Sequence, residues 1–349
     1  MQNLHSASFG ESVSFDIDLF ADDFKATELI TYYHIKDTIS DGFDYDFTEN
    51  SNVTVTVTGT QEPISTVTLT EVASLDALKT AKSGYVILYD ENDPRSFEVV
   101  VKWATLNSAG KQMPISPDEW NFIGVSYNAT VNNRAVIVGS GNPSTASFTY
   151  DKSSSFDPEN SPTEQPTPGE NPENPNTPFN TTTYVYALGI EKVDAADKTK
   201  HLPGVKFTTT DFRAKKLSDG VYEVIPVEID DTEELTAEYT EYFEVPESGF
   251  ILIKGLGASE YTFCESETLA GYNLLAEPLV ITIPTTGGTV GTVAETPYAA
   301  ISKVENATGS ELPSTGGGGT TIFFVSGSIL VLMAGILLVT KKRMANGEQ

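Results

Sequence analysis

Residues 183–195 read TYVYALGIEKVDA, and residues 258–275 read ASEYTFCESETLAGYNLL. In both stretches apolar side chains recur at alternate positions, which is the period of a β-strand. The apolar face of the first stretch runs through Ile190 to Lys192, and that of the second continues to Glu265. Alternate strand residues share a face, so the pattern predicts a lysine and a glutamate that point into a β-sheet core.

Similar alternating segments occur along most of the chain before residue 310. They are short and rich in β-branched and aromatic residues, and clusters of Gly, Asn, Asp and Ser separate them. Residues 75–80 and 116–120 are the two segments that suggest a helical turn. Many short strands with intervening turn signals predict antiparallel β-sandwiches. The predicted fold class is therefore all-β, with two immunoglobulin-like antiparallel sandwich domains.

A proline-rich acidic segment divides the chain. It reads KSSSFDPENSPTEQPTPGENPENPNTPFN from residue 152 and is almost devoid of apolar residues. Such a composition predicts an extended, solvated linker that has no core of its own. The predicted division is a first domain at residues 1–151, a linker at 152–181, a second domain at 182–310 and a C-terminal region at 311–349.

The C-terminal region at 311–349 has three parts in a fixed order. The apolar, uncharged residues 321–340 follow a pentapeptide and a glycine run, and three cations follow at residues 341–343. At roughly 1.5 Å per residue, a helix over residues 321–340 is long enough to cross a hydrocarbon core of roughly 30 Å. Cytoplasmic flanks carry such cations, so the pattern predicts a transmembrane helix with the rest of the chain outside. The pentapeptide consists of Leu312, Pro313, Ser314, Thr315 and Gly316.

The composition excludes several kinds of function. The chain has 349 residues and a formal net charge of −28, so its surface repels phosphate backbones and nucleic-acid binding is not expected. Its one cysteine, Cys264, excludes an intrachain disulfide and is interpreted as an inert strand residue. His5, His34 and His201 lie far apart and are interpreted as surface or turn residues. No metal site, cofactor or catalytic triad is expected.

The second domain resembles the CnaB-like, SpaA-type domains of Gram-positive pilins. The resemblance rests on the stretches quoted first, on GFILIKGL at residues 249–256, and on the E-box around Glu265. In this chain Thr268-Leu269 takes the place of the Ala-Pro of the E-box pattern. The resemblance implies an amide between Lys192 and Asn306, formed with loss of ammonia and assisted by Glu265 as the acid.

The expected chemistry follows from burial. A low dielectric disfavours the charged forms of both Lys192 and Glu265, which gives a neutral amine and a protonated carboxyl that polarises the Asn306 carbonyl. Two alternatives stay open. The lysine and the glutamate could form a buried ion pair without a covalent bond. The acceptor could also be Asn273, because Ile301 interrupts the alternation of the last strand.

The first domain resembles the D2-type, isopeptide-forming domain of Gram-positive fimbrial subunits. The matching stretches are FGESVSFDI, YHIKDTISDGFDY at residues 33–45 and YNATVNNRAVIVGSGNPSTASFTY at 127–150. Asp37 matches the acid of that family and shares a strand face with Tyr33. The lysine of the family would precede residue 1, and Asp151 stands where an asparagine is expected. No cross-link is expected here, and Asp37 could equally be an ordinary carboxylate near a turn.

The pentapeptide LPSTG resembles the LPxTG cell-wall sorting signal. The resemblance implies that a sortase cleaves between Thr315 and Gly316 and joins Thr315 to a neighbouring pilin subunit or to peptidoglycan, after transient membrane insertion. The function expected is that of a wall-anchored pilus subunit that supports adhesion to an unidentified host ligand. The alternative is a non-polymerised surface adhesin with the same stalk domains.

Residues 1–20 lack the features of a signal peptide, so the sequence is expected to begin inside a longer protein.

Overall fold

The computed structural model describes residues 4–21, 24–25, 28–45, 52–59, 64–90, 93–108, 110–115, 120–153, 172–173, 179–226, 239–285, 288–293 and 295–309. Over these ranges nearly all regular structure is β-sheet, so the predicted all-β class is confirmed. The predicted transmembrane helix at 321–340, the LPSTG pentapeptide and the helical turn predicted at 116–120 lie outside the described residues. In the ranges given above, no helix is long and apolar enough to cross a bilayer.

The first sandwich consists of two sheets that enclose an aromatic and β-branched core. One sheet has the order β2-β12-β6-β7, and the facing sheet includes β13-β4-β9-β8; the pairs within both runs are antiparallel. The predicted helical turn at residues 75–80 is α1. The elements are β1 Leu4–Ser6, β2 Ser12–Phe20, β3 Phe24–Lys25, β4 Glu28–Ile39, β5 Phe43–Asp44, β6 Thr54–Thr58, β7 Thr66–Thr68, α1 Leu75–Thr80, β8 Tyr85–Tyr89, β9 Ser96–Lys102, β10 Ala104–Leu106, β11 Gln112–Pro114, β12 Phe122–Val131 and β13 Asn142–Ser153.

The second sandwich pairs a five-stranded sheet, β18-β19-β21-β16-β26, with a four-stranded sheet, β20-β17-β22-β23. Its first long strand, β16, lies beside its last strand, β26, and the two run parallel. The remaining elements are β14 Pro172–Glu173, β15 Phe179–Tyr184, β16 Tyr186–Asp194, β17 Lys206–Thr208, β18 Arg213–Ser218, β19 Val221–Ile225, β20 Phe243–Glu244, β21 Phe250–Leu256, β22 Glu260–Glu267, β23 Leu279–Thr282, β24 Gly291–Val293, β25 Thr296–Tyr298 and β26 Ala300–Asn306.

The two sandwiches meet at a closely packed junction. Strand β15 pairs with β13 of the first sandwich and leads directly into β16 of the second, so residues 179–181 of the predicted linker belong to a sheet. Strand β1 pairs in parallel with β15. The Phe9 N–H donates to the Gly255 carbonyl at 3.0 Å. Gly255 has φ of +90°, and a Cβ there would lie 2.3 Å from the Phe9 ring, so glycine is required on both grounds.

Candidate functional site

Lys192 is a fully buried lysine near the end of β16. Its side chain has 0% exposure, and its Nζ lies 5.7 Å from the centroid of the Phe207 ring. Alternation along β16 aims it between the two sheets, as the sequence predicts. Burial lowers the pKa of Lys192, and the neighbouring Glu265 carboxylate offsets part of that shift. Deprotonation of Lys192 to the neutral, nucleophilic amine therefore costs less free energy here than in water.

Glu265 reaches the lysine from the opposite sheet. It lies on β22, paired with Phe207 of β17, and its side chain is fully buried. Its Oε2 lies 3.4 Å from Lys192 Nζ and accepts a hydrogen bond from the Leu275 N–H at 3.2 Å. Its other oxygen, Oε1, accepts from Asn306 Nδ2 at 2.5 Å. One carboxyl group therefore contacts the nitrogen atoms of both other side chains.

Asn306 completes the cluster from the last residue of β26. In the parallel pairing Lys192 lies opposite Val304, so Asn306 is two residues further along the same face. Lys192 Nζ donates to Asn306 Oδ1. Ile301, which interrupts the apolar pattern, points outward, while Asn306 is almost fully buried. Asn273, the other candidate acceptor, bonds through its backbone N–H to the Ala307 carbonyl.

The three side chains are arranged for attack of an amine on an amide. The nucleophile, the carbonyl and the leaving nitrogen all lie in a buried site. From the sequence, Glu265 is expected to polarise the Asn306 carbonyl, whereas in the structure Lys192 contacts that oxygen and Glu265 contacts the amide nitrogen. This pairing matches donors with acceptors, because a lysine has no acceptor and a carboxylate has no donor.

Comparisons with known proteins match the region that contains Lys192 and Glu265. Residues 187–296 match the SpaA family, described as a prealbumin-like fold domain. Residues 304–346 match the LPXTG cell wall anchor motif. An LPXTG motif at this end of the chain indicates a location at the cell wall. Such motifs are processed by sortases, so the predicted surface location is confirmed. No curated protein matches the sequence.

Solved structures resemble both sandwiches of this LPXTG-anchored protein together. The group B streptococcus pilus 2b backbone protein is 23% identical, with a TM-score of 0.57 over 90% of this chain and 99% of that chain. The 35 kDa C-terminal fragment of the major pilin GBS80 of Streptococcus agalactiae is 17% identical, with a TM-score of 0.52 over 87% of this chain and 96% of that chain. At these identities the likeness establishes the fold.

A second buried group in the SpaA-type domain holds the loop that follows Glu265. Asp194 accepts from the Tyr272 hydroxyl at 2.5 Å and from the backbone N–H groups of Ala196 and Asp197. These hydrogen bonds, led by that of Tyr272, lower the pKa of Asp194 to about 2. The contact ties the loop to the end of β16, two residues beyond Lys192. Strand alternation does not predict this contact, because Tyr272 lies beyond the end of β22.

Asp37, the predicted acid of the first sandwich, is also fully buried. Its carboxylate accepts from the Tyr127 hydroxyl at 2.6 Å, from the Ser144 hydroxyl at 3.1 Å and from the Thr38 N–H at 2.7 Å. Burial raises the pKa of Asp37, and these three donors oppose the shift. Among the described residues, the hydrogen-bond donors to Asp37 are hydroxyl and backbone groups, a set that satisfies a carboxylate without a cationic partner.

The interpretation of His34 as a surface or turn residue is wrong. It lies within β4, its side chain is 11% exposed, and it bridges Glu98 at 2.6 Å and Asp151 at 2.9 Å. Burial lowers its pKa, but hydrogen bonds to the two carboxylates outweigh burial and raise the pKa of His34 to about 9. The protonated ring therefore links three adjacent strands, β13, β4 and β9.

A buried lysine of the first sandwich was also missed. Lys102 is fully buried at the end of β9 and donates to the carbonyls of Lys79 at 2.6 Å and Ala81 at 2.7 Å. Both carbonyls belong to the C-terminal end of α1, where cations are favoured. Burial lowers the pKa of Lys102 to about 8. Lys102 therefore holds α1 against the outer face of the sheet that contains β9.

Proposed function

We propose that this protein is a structural subunit of a sortase-assembled pilus anchored to the cell wall. The observation that carries the proposal is the buried Lys192–Glu265–Asn306 cluster in the domain next to the LPXTG motif. The fold shared with a streptococcal pilus backbone protein and with a fragment of a streptococcal major pilin supports it. The function is mechanical and adhesive rather than enzymatic.

The cluster forms an isopeptide bond in a single turnover. Neutral Lys192 Nζ attacks the side-chain carbonyl carbon of Asn306, and the C–Nδ2 bond breaks. Glu265 accepts a proton from Nζ through one carboxyl oxygen and delivers a proton to Nδ2 through the other. Nδ2 leaves as ammonia, and the product is an amide between β16 and β26. Atoms and charges balance without a cofactor.

The bond joins the strand that enters the domain to the strand that leaves it toward the anchor. The two residues are 114 positions apart in sequence and adjacent in space. Tension applied at residue 186 therefore passes through the amide to residue 306, and the intervening strands are not stretched. An amide also resists reduction, which suits an extracellular fibre built from a chain that lacks disulfides.

Sortase supplies the second covalent link. It cleaves after Thr315 and transfers the acyl group to an amine of a neighbouring subunit, which extends the fibre, or of peptidoglycan, which anchors it. In sequence, the pentapeptide follows strand β26 after a few residues. The isopeptide bond and the sortase link therefore succeed each other along the chain. The SpaA-type domain in this position is what favours a pilus subunit over an unrelated anchored protein.

Wall extracts of the producing cell distinguish a polymerised subunit from a single anchored adhesin. After muralytic digestion and boiling in detergent, a pilus subunit migrates as a ladder of covalent multimers detected with antibody to the first sandwich. Thr315→Ala removes the ladder, whereas Thr320→Ala, outside the pentapeptide, keeps it. A single band in the wild-type extract contradicts polymerisation and favours the non-polymerised adhesin.

A further inference from the structure

We propose that Thr268 holds the departing nitrogen of Asn306 and thereby speeds isopeptide formation. The inference rests on the proposed reaction of Lys192 with Asn306. It concerns a residue that lies outside the three reacting groups and departs from the E-box pattern, which has alanine at this position. The observation that supports it is the hydrogen bond from Asn306 Nδ2 to Thr268 Oγ1 at 2.8 Å.

The Asn306 amide nitrogen has two N–H groups, and each has its own acceptor. One is directed at Glu265 Oε1 at 2.5 Å and the other at Thr268 Oγ1 at 2.8 Å. The two acceptors approach from the same segment of chain, because Thr268 lies just after the end of β22. Together they fix the plane of the side-chain amide. Its carbonyl oxygen is then directed to Lys192 Nζ, as observed.

The amide has to keep this orientation during the attack. If the side chain rotated half a turn, the nitrogen would face the lysine and the carbonyl would face Glu265 and Thr268. With both N–H groups held, that rotation costs two hydrogen bonds in a buried site, where unpaired donors are expensive. Glu265, whose carboxylate only accepts, selects the reactive orientation, and Thr268 provides the second hydrogen bond that holds the amide in it.

The hydroxyl also suits the product. As the C–Nδ2 bond breaks, Nδ2 gains a proton from Glu265 and becomes ammonia with three N–H groups. A buried, neutral ammonia needs acceptors until it escapes, and Thr268 Oγ1 is within hydrogen-bond distance of that atom before the reaction begins. Alanine at this position provides no acceptor, so the forward step loses a contact to the leaving group.

The rate of bond formation in the full chain tests this role. Chain made by cell-free synthesis is quenched in denaturant at intervals and digested, and mass spectrometry gives the fraction of peptide with Lys192 joined to Asn306. Thr268→Val and Thr268→Ala should each form the bond roughly tenfold more slowly, the factor expected for one hydrogen bond to the reacting group. Thr268→Ser keeps the hydroxyl and should stay within about twofold of wild type.

Two controls separate rate from folding. Pulse proteolysis of the same samples reports when the domain folds, and this time should be alike in all variants. Ser266→Ala removes a neighbouring hydroxyl that bonds to the Lys206 carbonyl instead of Asn306, and it should react at the wild-type rate.

Each outcome bears on the proposal. Wild-type rates in both Thr268→Val and Thr268→Ala overturn it, and so does a Thr268→Ser variant as slow as Thr268→Val. Those results leave the Lys192–Asn306 bond itself intact. If the wild-type chain never loses ammonia, the isopeptide reaction fails and the role of Thr268 fails with it.

Discussion

Replacing Glu265 with alanine should prevent the cross-link while leaving both reactants in place. Without its carboxyl, no group in the described part of the chain contacts both Lys192 Nζ and Asn306 Nδ2, so the proton cannot pass from the nucleophile to the leaving nitrogen. The wild-type chain should be lighter than its sequence mass by one ammonia. The Glu265→Ala chain should keep its full sequence mass.

The stability loss follows from the loop that the bond closes. Lys192 and Asn306 are 114 residues apart, and the chain-entropy model gives roughly 5 kcal/mol for a constraint of that span. Glu265→Ala also leaves a fully buried lysine without its carboxylate, which adds to the cost. For a domain of this size the unfolding temperature should fall on the order of 20 °C.

Calorimetry on the chain truncated after residue 311 measures this loss. Both tryptophans, Trp103 and Trp120, belong to the first sandwich, so tryptophan fluorescence reports the unfolding of that sandwich. A calorimetric transition without a fluorescence change belongs to the second sandwich. The matched control is Glu267→Ala, two residues further along β22, where an exposed carboxylate pairs with Lys206. It should keep the mass loss and cost less than about 1 kcal/mol.

Two results would refute this reasoning. If Glu265→Ala loses ammonia as completely as wild type, the carboxyl is not needed for proton transfer. If tandem mass spectrometry finds Lys192 joined to a residue other than Asn306, the acceptor is wrong although the chemistry stands. Lys192→Ala, which removes the nucleophile, should abolish the mass loss in either case.

Three further predictions concern other parts of the chain. Mass spectrometry of wall digests should find Thr315 as the C-terminal residue, joined to an amine; a predominance of material with an intact C-terminal tail would contradict sorting. A fragment of residues 1–151 should have its full sequence mass, because no lysine among the described residues contacts Asp37, and an ammonia loss there would refute that view. The pKa of His34 is raised in the folded state, so its stabilisation is complete below about pH 6.5 and is lost as pH rises through about 9. The stability difference between wild type and His34→Gln, followed by tryptophan fluorescence, should therefore shrink by about 3 kcal/mol between about pH 6 and pH 10; a constant difference would show that the ring is not charged.

Strand periodicity was enough to predict which side chains point inward, but not which residues meet outside that pattern. Lys192 and Glu265 lie on regular strands, where every second residue faces the core, so their burial is readable from sequence. Thr268 lies beyond the end of β22, where alternation gives no direction. His34 and Asp151 are 117 residues apart on the outer face of a sheet, and only the register of β4 against β13 brings them together. Charged residues on such a face look solvent-exposed in sequence.

The junction between the sandwiches has a consequence for the shape of a fibre. Bending the two sandwiches relative to each other would shear the ladder between Leu4–Ser6 and β15 and would pull Phe9 away from Gly255. Residues 4–9 therefore act as a brace across the joint, although they are distant in sequence from the domain they contact. The two sandwiches therefore form one stiff unit, so in the proposed fibre any bending has to arise elsewhere than at this junction.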